Sequence, residues 1–152
     1  MKTSSGRVLM RSWLHLPITA ALVVAAYAQD AKPSRSAWDG IYSEAQAERG
    51  RDQYLQSCAA CHGKDLRGDN TAPSLVDESF AFQWDDTTVG ELFTRIKTLM
   101  PSDRPNSLSS QRYRDVVAFI LQANKFPAGD KELEDEALGQ IRITAKRPQT
   151  AK

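Results

Sequence analysis

Apolar residues fall at helical spacing in three stretches of this chain, and each stretch opens on a capping signal. In the first, Ala47, Gly50, Tyr54, Leu55 and Cys58 share one face. Ser43 stands ahead of them as N-cap with Gln46 in the capping-box position, so a helix is predicted from there to about Cys58. In the second, Val89, Leu92, Phe93, Ile96 and Leu99 follow the box formed by Thr88 and Glu91. Pro101 disfavours helical geometry in the residue before it, so this helix is expected to stop near Met100. The third carries Tyr113, Val116, Val117, Ile120 and Leu121, with Phe119 beside them, behind Ser109 or Ser110 and ending before Pro127 and Gly129. Gly50 costs about 1 kcal/mol in a helix interior relative to Ala. Its place on the packing face predicts the close approach of another element.

Between these stretches no long period survives. Gly63, Gly68, Asp69, Asn70 and Pro73 mark residues 63–84 as loop-rich, and residues 102–107 read as a second loop. Residues 29–42, with Pro33 and several serines, read as a linker. The stretch 130–152 holds Asp130, Glu132, Glu134, Asp135 and Glu136, then Arg142, Lys146, Arg147 and Lys152, and reads as a solvated tail. Ile141 to Thr144 alternates like a strand, without an evident partner. There is no repeat and no βαβ pattern, so the expected class is all-α, with the domain proper at residues 43–129.

Composition narrows the picture further. The chain has 152 residues, enough for one domain, and 41% hydrophobic residues, enough for a core. A formal charge of +1 gives no reason to expect nucleic acid as partner. Lys2, Arg7 and Arg11 precede an apolar run from Ile18 to Ala26 and the small-residue end Ala26-Tyr27-Ala28. That pattern predicts a signal peptide over residues 1–28, cleavage and a periplasmic location, with no membrane span left in the mature chain; the competing reading is an uncleaved anchor, for which the apolar run is short. His62 is then the sole His and Met100 the sole Met of the mature chain.

Cys58-Ala59-Ala60-Cys61-His62 has the C-x-x-C-H form of a c-type haem attachment. Two thiols so spaced can add to the two vinyl groups on one haem edge, and the adjacent imidazole can turn onto the iron. Competing readings use the same residues. A Cys58–Cys61 disulfide suits an oxidising compartment. A thioredoxin-like pair belongs at a helix N-terminus in a βαβ context, whereas this one follows a helix. Structural zinc wants four ligands, and the mature chain offers three Cys/His. Met100, just before a proline at the end of a helix, is the candidate thioether ligand for the opposite face of a haem; otherwise it fills the core.

On these residues the sequence resembles the class I mono-haem cytochromes c over residues 40–133. The resemblance implies three main helices plus loops wrapped around one covalently bound haem c, attached at Cys58 and Cys61 and ligated by His62 and Met100. It implies that Val116 and Phe119 meet Gly50 and Tyr54, and that the Pro73 carbonyl accepts the ring N–H of His62. Leu66, Leu75, Phe80, Phe82, Val89, Phe93, Ile96, Val117, Ile120 and Leu121 are candidates for the core and haem lining, and Trp84 for a haem propionate. Trp38 to Ser43, Gln46 to Gly50, Glu91-Leu92-Phe93 and Ala123 to Gly129 are similar to cytochromes associated with periplasmic quinoprotein (PQQ) dehydrogenases. Iron ligated by His and Met marks an electron carrier and not an enzyme. An open sixth position would instead mark a sensor or a peroxidase-like enzyme. The expected partners are redox proteins: a quinoprotein dehydrogenase as donor, an oxidase or another cytochrome as acceptor. Lys64, Arg67, Arg95 and Arg114 are among the basic residues of a possible docking rim, but Asp65, Asp69 and Asp85 lie among them and leave its sign open.

Overall fold

The computed structural model describes residues 34–147. The expected signal peptide, the start of the linker and residues 148–152 lie outside the described residues. The described chain runs through β1 (Arg35–Ser36), a 3-10 turn (Ala37–Asp39), α1 (Glu44–Ser57), α2 (Ala59–His62), α3 (Asp77–Trp84), α4 (Val89–Leu99), α5 (Ser110–Ala123), a second 3-10 turn (Asp135–Gln140) and β2 (Ile141–Arg142). Among the described residues no helix is long and apolar enough to cross a membrane.

The three predicted helices form where capping and periodicity place them. Ser43 Oγ accepts the Gln46 N–H at the start of α1, and Ser109 does the same for Arg112 at α5. At α4 both halves of the capping box are present: Thr88 accepts from the Glu91 N–H, and Glu91 accepts from the Thr88 N–H. Met100 ends α4 in an extended conformation, φ −126° and ψ 151°, as its proline neighbour requires.

The core is the crossing of α1 and α5. A Cβ placed on Gly50 would lie 1.8 Å from the Asp115 carbonyl oxygen and 3.0 Å from Phe119 Cβ, so the two backbones nearly touch there. The Tyr54 and Phe119 rings pack one turn on, centroids 5.3 Å apart. Gly50 thus meets Asp115 and Phe119 most closely, and Val116 is buried in the core. Every residue of α5 from Tyr113 to Leu121 is buried, so this helix is covered on all sides.

Several expectations need correction. Gln46 does not close a capping box; its amide is fully buried, donating to the Leu133 carbonyl and accepting the Leu133 N–H. Leu55 is 41% exposed, because the buried face of α1 rotates toward Gln46 and Gln53. The stretch read as loop contains α3, which buries Phe80. Phe82 is 95% exposed and lines nothing in the core.

The segments on either side of the expected domain are also structured. Leu133, Leu138, Ile141 and Ile143 are buried, so residues 133–143 are not a solvated tail. β2 finds its partner in β1, in parallel register with Arg35 opposite Ile141. The Trp38 indole N–H donates to the Thr144 carbonyl, Tyr42 donates to the Phe126 carbonyl, and the Gly129 N–H donates to the Tyr42 carbonyl. The supposed linker and tail therefore form a collar at one side of the helices. Three of its acidic residues are paired with arginines of the helices: Arg49 bridges Asp115 and Glu132, while Arg114 bridges Glu134 and Asp135. Arg114 is accordingly buried and belongs to no exposed rim.

Candidate functional site

The chain kinks at Cys58, the residue that caps α1, and α2 turns the C-x-x-C-H residues through one tight coil. The Cys58 carbonyl accepts from both the Cys61 and the His62 N–H, at 3.2 and 3.0 Å. Gly63, at φ 75°, then reverses the chain, and its carbonyl accepts a 2.7 Å bond from the Tyr54 hydroxyl. The α1–α5 core thereby fixes the turn that follows His62.

The loop after the motif folds back over the imidazole. The Gly68 N–H donates to the His62 carbonyl, and the Asp69 N–H to the Ala72 carbonyl. Asp69 accepts from both the backbone and the hydroxyl of Thr71, which holds its carboxyl below the usual range. A Cβ on Gly68 would come within 2.2 Å of the Ala72 oxygen and 2.7 Å of Pro73, and Gly68 has φ 66°. Only glycine lets Pro73 sit this close.

His62 is 7% exposed, and its Nδ1 lies 3.0 Å from the Pro73 carbonyl oxygen. A carbonyl only accepts, so Nδ1 donates to it, and in the tautomer that this bond selects the lone pair of the neutral ring lies on Nε2. This is the bond the resemblance implied. Met100 lies at the end of α4, its N–H bonded to the Ile96 carbonyl and its carbonyl accepting from the Tyr113 hydroxyl. Trp84 is half-buried and packs against the core.

The donor set bears on the competing chemistries. Cys58 and Cys61 are free cysteines, Cys58 half-buried and Cys61 exposed. Burial, with the neighbouring Cys61, pushes the Cys58 thiol up to about 11. A thiol–disulfide oxidoreductase needs the opposite, a thiol lowered toward neutrality. Among the described residues no group of three or more His, Cys, Asp or Glu is arranged to hold a metal ion, which leaves zinc without a tetrahedron. Two unpaired thiols beside an imidazole with one nitrogen anchored and the other free do fit a c-type haem.

No curated protein matches the chain. The crystal structure of the sulfane dehydrogenase SoxCD from Paracoccus pantotrophus is similar at 22% identity and a TM-score of 0.49, over 70% of this chain and 61% of that one. This chain thus spans less than two thirds of that protein chain. The family model described as cytochrome C oxidase, cbb3-type, subunit III matches residues 45–120, half of the sequence, from the first turn of α1 into α5. That span holds Cys58, Cys61, His62, Pro73 and Met100. The chain is therefore a member of this cytochrome c family, an all-α, haem-binding electron-transfer protein whose cofactor is haem c.

Proposed function

We propose that the protein is an exported one-electron carrier of the periplasm, with His62 and Met100 as the axial ligands of its haem. Haem c, when bound, supplies the ferric/ferrous couple. The residues supply the rest. Cys58 and Cys61 offer the thiols for attachment, and Pro73 fixes the ring of His62 so that Nε2 is the free donor. The extended backbone at Met100 ends the helix and leaves its thioether as the second soft donor. Two strong ligands leave no position for a substrate, and such ligation raises the reduction potential.

The observation that carries this reading is the 3.0 Å contact from His62 Nδ1 to the Pro73 oxygen, a ring poised to ligate with its other nitrogen. Protein produced in a haem-maturing host is expected to give a sharp reduced-minus-oxidised α band that persists in the denatured chain. The ferrous protein is expected to resist carbon monoxide, and Met100→Ala to bind it readily. Ready binding by the unaltered protein would instead favour a sensor or peroxidase-like role and remove Met100 as a ligand. A colourless protein would remove the haem.

The donor in this reading is a quinoprotein dehydrogenase, and the acceptor is an oxidase or another cytochrome. The resemblance to dehydrogenase-associated cytochromes includes Trp38 to Ser43 and Ala123 to Gly129, and these two stretches pack on each other: Trp38 lies 4.5 Å from Phe126, centroid to centroid, and Tyr42 bonds the Phe126 carbonyl. Stopped-flow mixing with a reduced quinoprotein dehydrogenase is expected to reduce the haem within the mixing trace. No reduction would exclude that donor and leave the electron-carrier reading intact. Interfaces of this kind are small and transient.

A further inference from the structure

The loop from α4 to α5 has a tie that the axial-ligand reading does not use. Tyr113, on the first turns of α5, is 1% exposed. Its hydroxyl donates to the Met100 carbonyl at 2.8 Å and accepts the Leu108 N–H at 3.4 Å. One phenol thus joins the first and last parts of the loop. The residues between, 102–107, are all exposed and bury no apolar side chain that would hold them. The remaining ties are the Arg104 N–H to the Pro101 carbonyl, the Asn106 N–H to the Lys97 carbonyl, and Lys97 Nζ to Ser110 Oγ. Of these, only the last reaches α5, and a lysine ammonium exchanges such a bond for water at little cost.

We infer that Tyr113 is the positioning residue that holds Met100 on the iron, so that its hydroxyl sets how often the sixth coordination position opens. The inference rests on Met100 being the axial ligand. The thioether clears the sixth position most fully when the Met100 backbone swings with its loop, and that motion breaks the bond to the buried hydroxyl. Tyr113 touches neither the iron nor a partner; it acts through the carbonyl of the ligand residue. Phenylalanine keeps the ring in the core and removes only the two loop bonds. A hydrogen bond of this kind shifts an equilibrium by roughly fivefold to tenfold. The open state is therefore expected to be about tenfold more populated in Tyr113→Phe.

The test uses haem-loaded protein throughout. Ferrous wild type, Tyr113→Phe, Val116→Ala and Met100→Ala are each mixed with carbon monoxide, and the ferric forms are compared in the sulfur-to-iron charge-transfer band at the red end of the spectrum. Binding limited by thioether release is expected to run about tenfold faster in Tyr113→Phe than in wild type, with a weakened ferric band. Val116→Ala loses packing on the same helix but no loop bond, and is expected at the wild-type rate. Wild-type rate and band in Tyr113→Phe would overturn the inference. Equal acceleration by Val116→Ala would overturn it too, since the loop would then respond to general loosening. So would loss of the helical circular-dichroism signal in Tyr113→Phe, because a loop tie leaves the helices standing. If Met100→Ala binds no faster than wild type, the axial-ligand reading itself has failed, a result separable from the others.

Discussion

A chain cut after Gly129 is expected to lose its cooperative unfolding transition. Such a chain ends where the sequence pattern places the edge of the domain, yet the helices bury part of their surface only under the segment beyond that edge. Leu133, Leu138, Ile141 and Ile143 are all buried. Their burial contributes about 1.5 kcal/mol or more for each side chain, or about 6 kcal/mol together, and their removal also returns to water the apolar surface they cover. Domains of this size are stable by roughly 5–15 kcal/mol, so the loss is comparable with the whole. The tail's ordering entropy leaves with it, but that does not restore the uncovered faces of the remaining protein. Gln46 also loses both bonds to Leu133, and Arg114 loses both carboxylates. Urea melts of the haem-loaded protein followed by circular dichroism are the measurement. A truncated protein with the wild-type midpoint would show the collar to be an ornament.

Gly50→Ala is expected to destabilise the protein by about 2–3 kcal/mol, even though alanine is the better helix former by about 1 kcal/mol. The sign is decided by distance. The added methyl would lie 1.8 Å from the Asp115 carbonyl oxygen and 2.4 Å from its carbon, and both are backbone atoms that cannot rotate away. Asp115 is further held by Arg49 and Gln111. The helices must separate to make room. Separation loosens the Tyr54–Phe119 pair and, through the Tyr54 hydroxyl, the carbonyl of Gly63 just beyond the haem motif. The midpoint in urea should fall, and a rise would mean that the crossing is looser than the Gly50 geometry requires.

What could be read from the sequence was whatever is encoded locally. The three long helices carry their period and their caps within a few residues, and the attachment motif is contiguous. The extended geometry at Met100 follows from its neighbour Pro101. α3 escaped because it carries almost no period: Val76 contributes no side-chain cap, Phe80 goes to the core, and Phe82 faces solvent. The collar escaped because its one short alternation, Ile141 to Thr144, is too brief to name a partner, and its partners lie at the other end of the chain. Its acidic residues read as solvated because an ion pair such as Arg114 with Asp135 leaves no mark in local pattern. At the site, the Pro73 contact came from family resemblance. The tie between Tyr113 and Met100 was hidden, because a tyrosine in an apolar stripe announces its ring and not the use of its hydroxyl.

The collar also sets an order of assembly. The bond from the Trp38 indole to Thr144 joins positions 106 apart, and that from Tyr42 to Phe126 joins positions 84 apart. Contacts that close such long loops give up chain entropy before they return any, and they form late. The coil at Cys58, Cys61 and His62 rests on bonds three and four residues long. It can take shape while the two ends of the polypeptide are still far apart, so the turn that carries the thiols needs no closed collar to form.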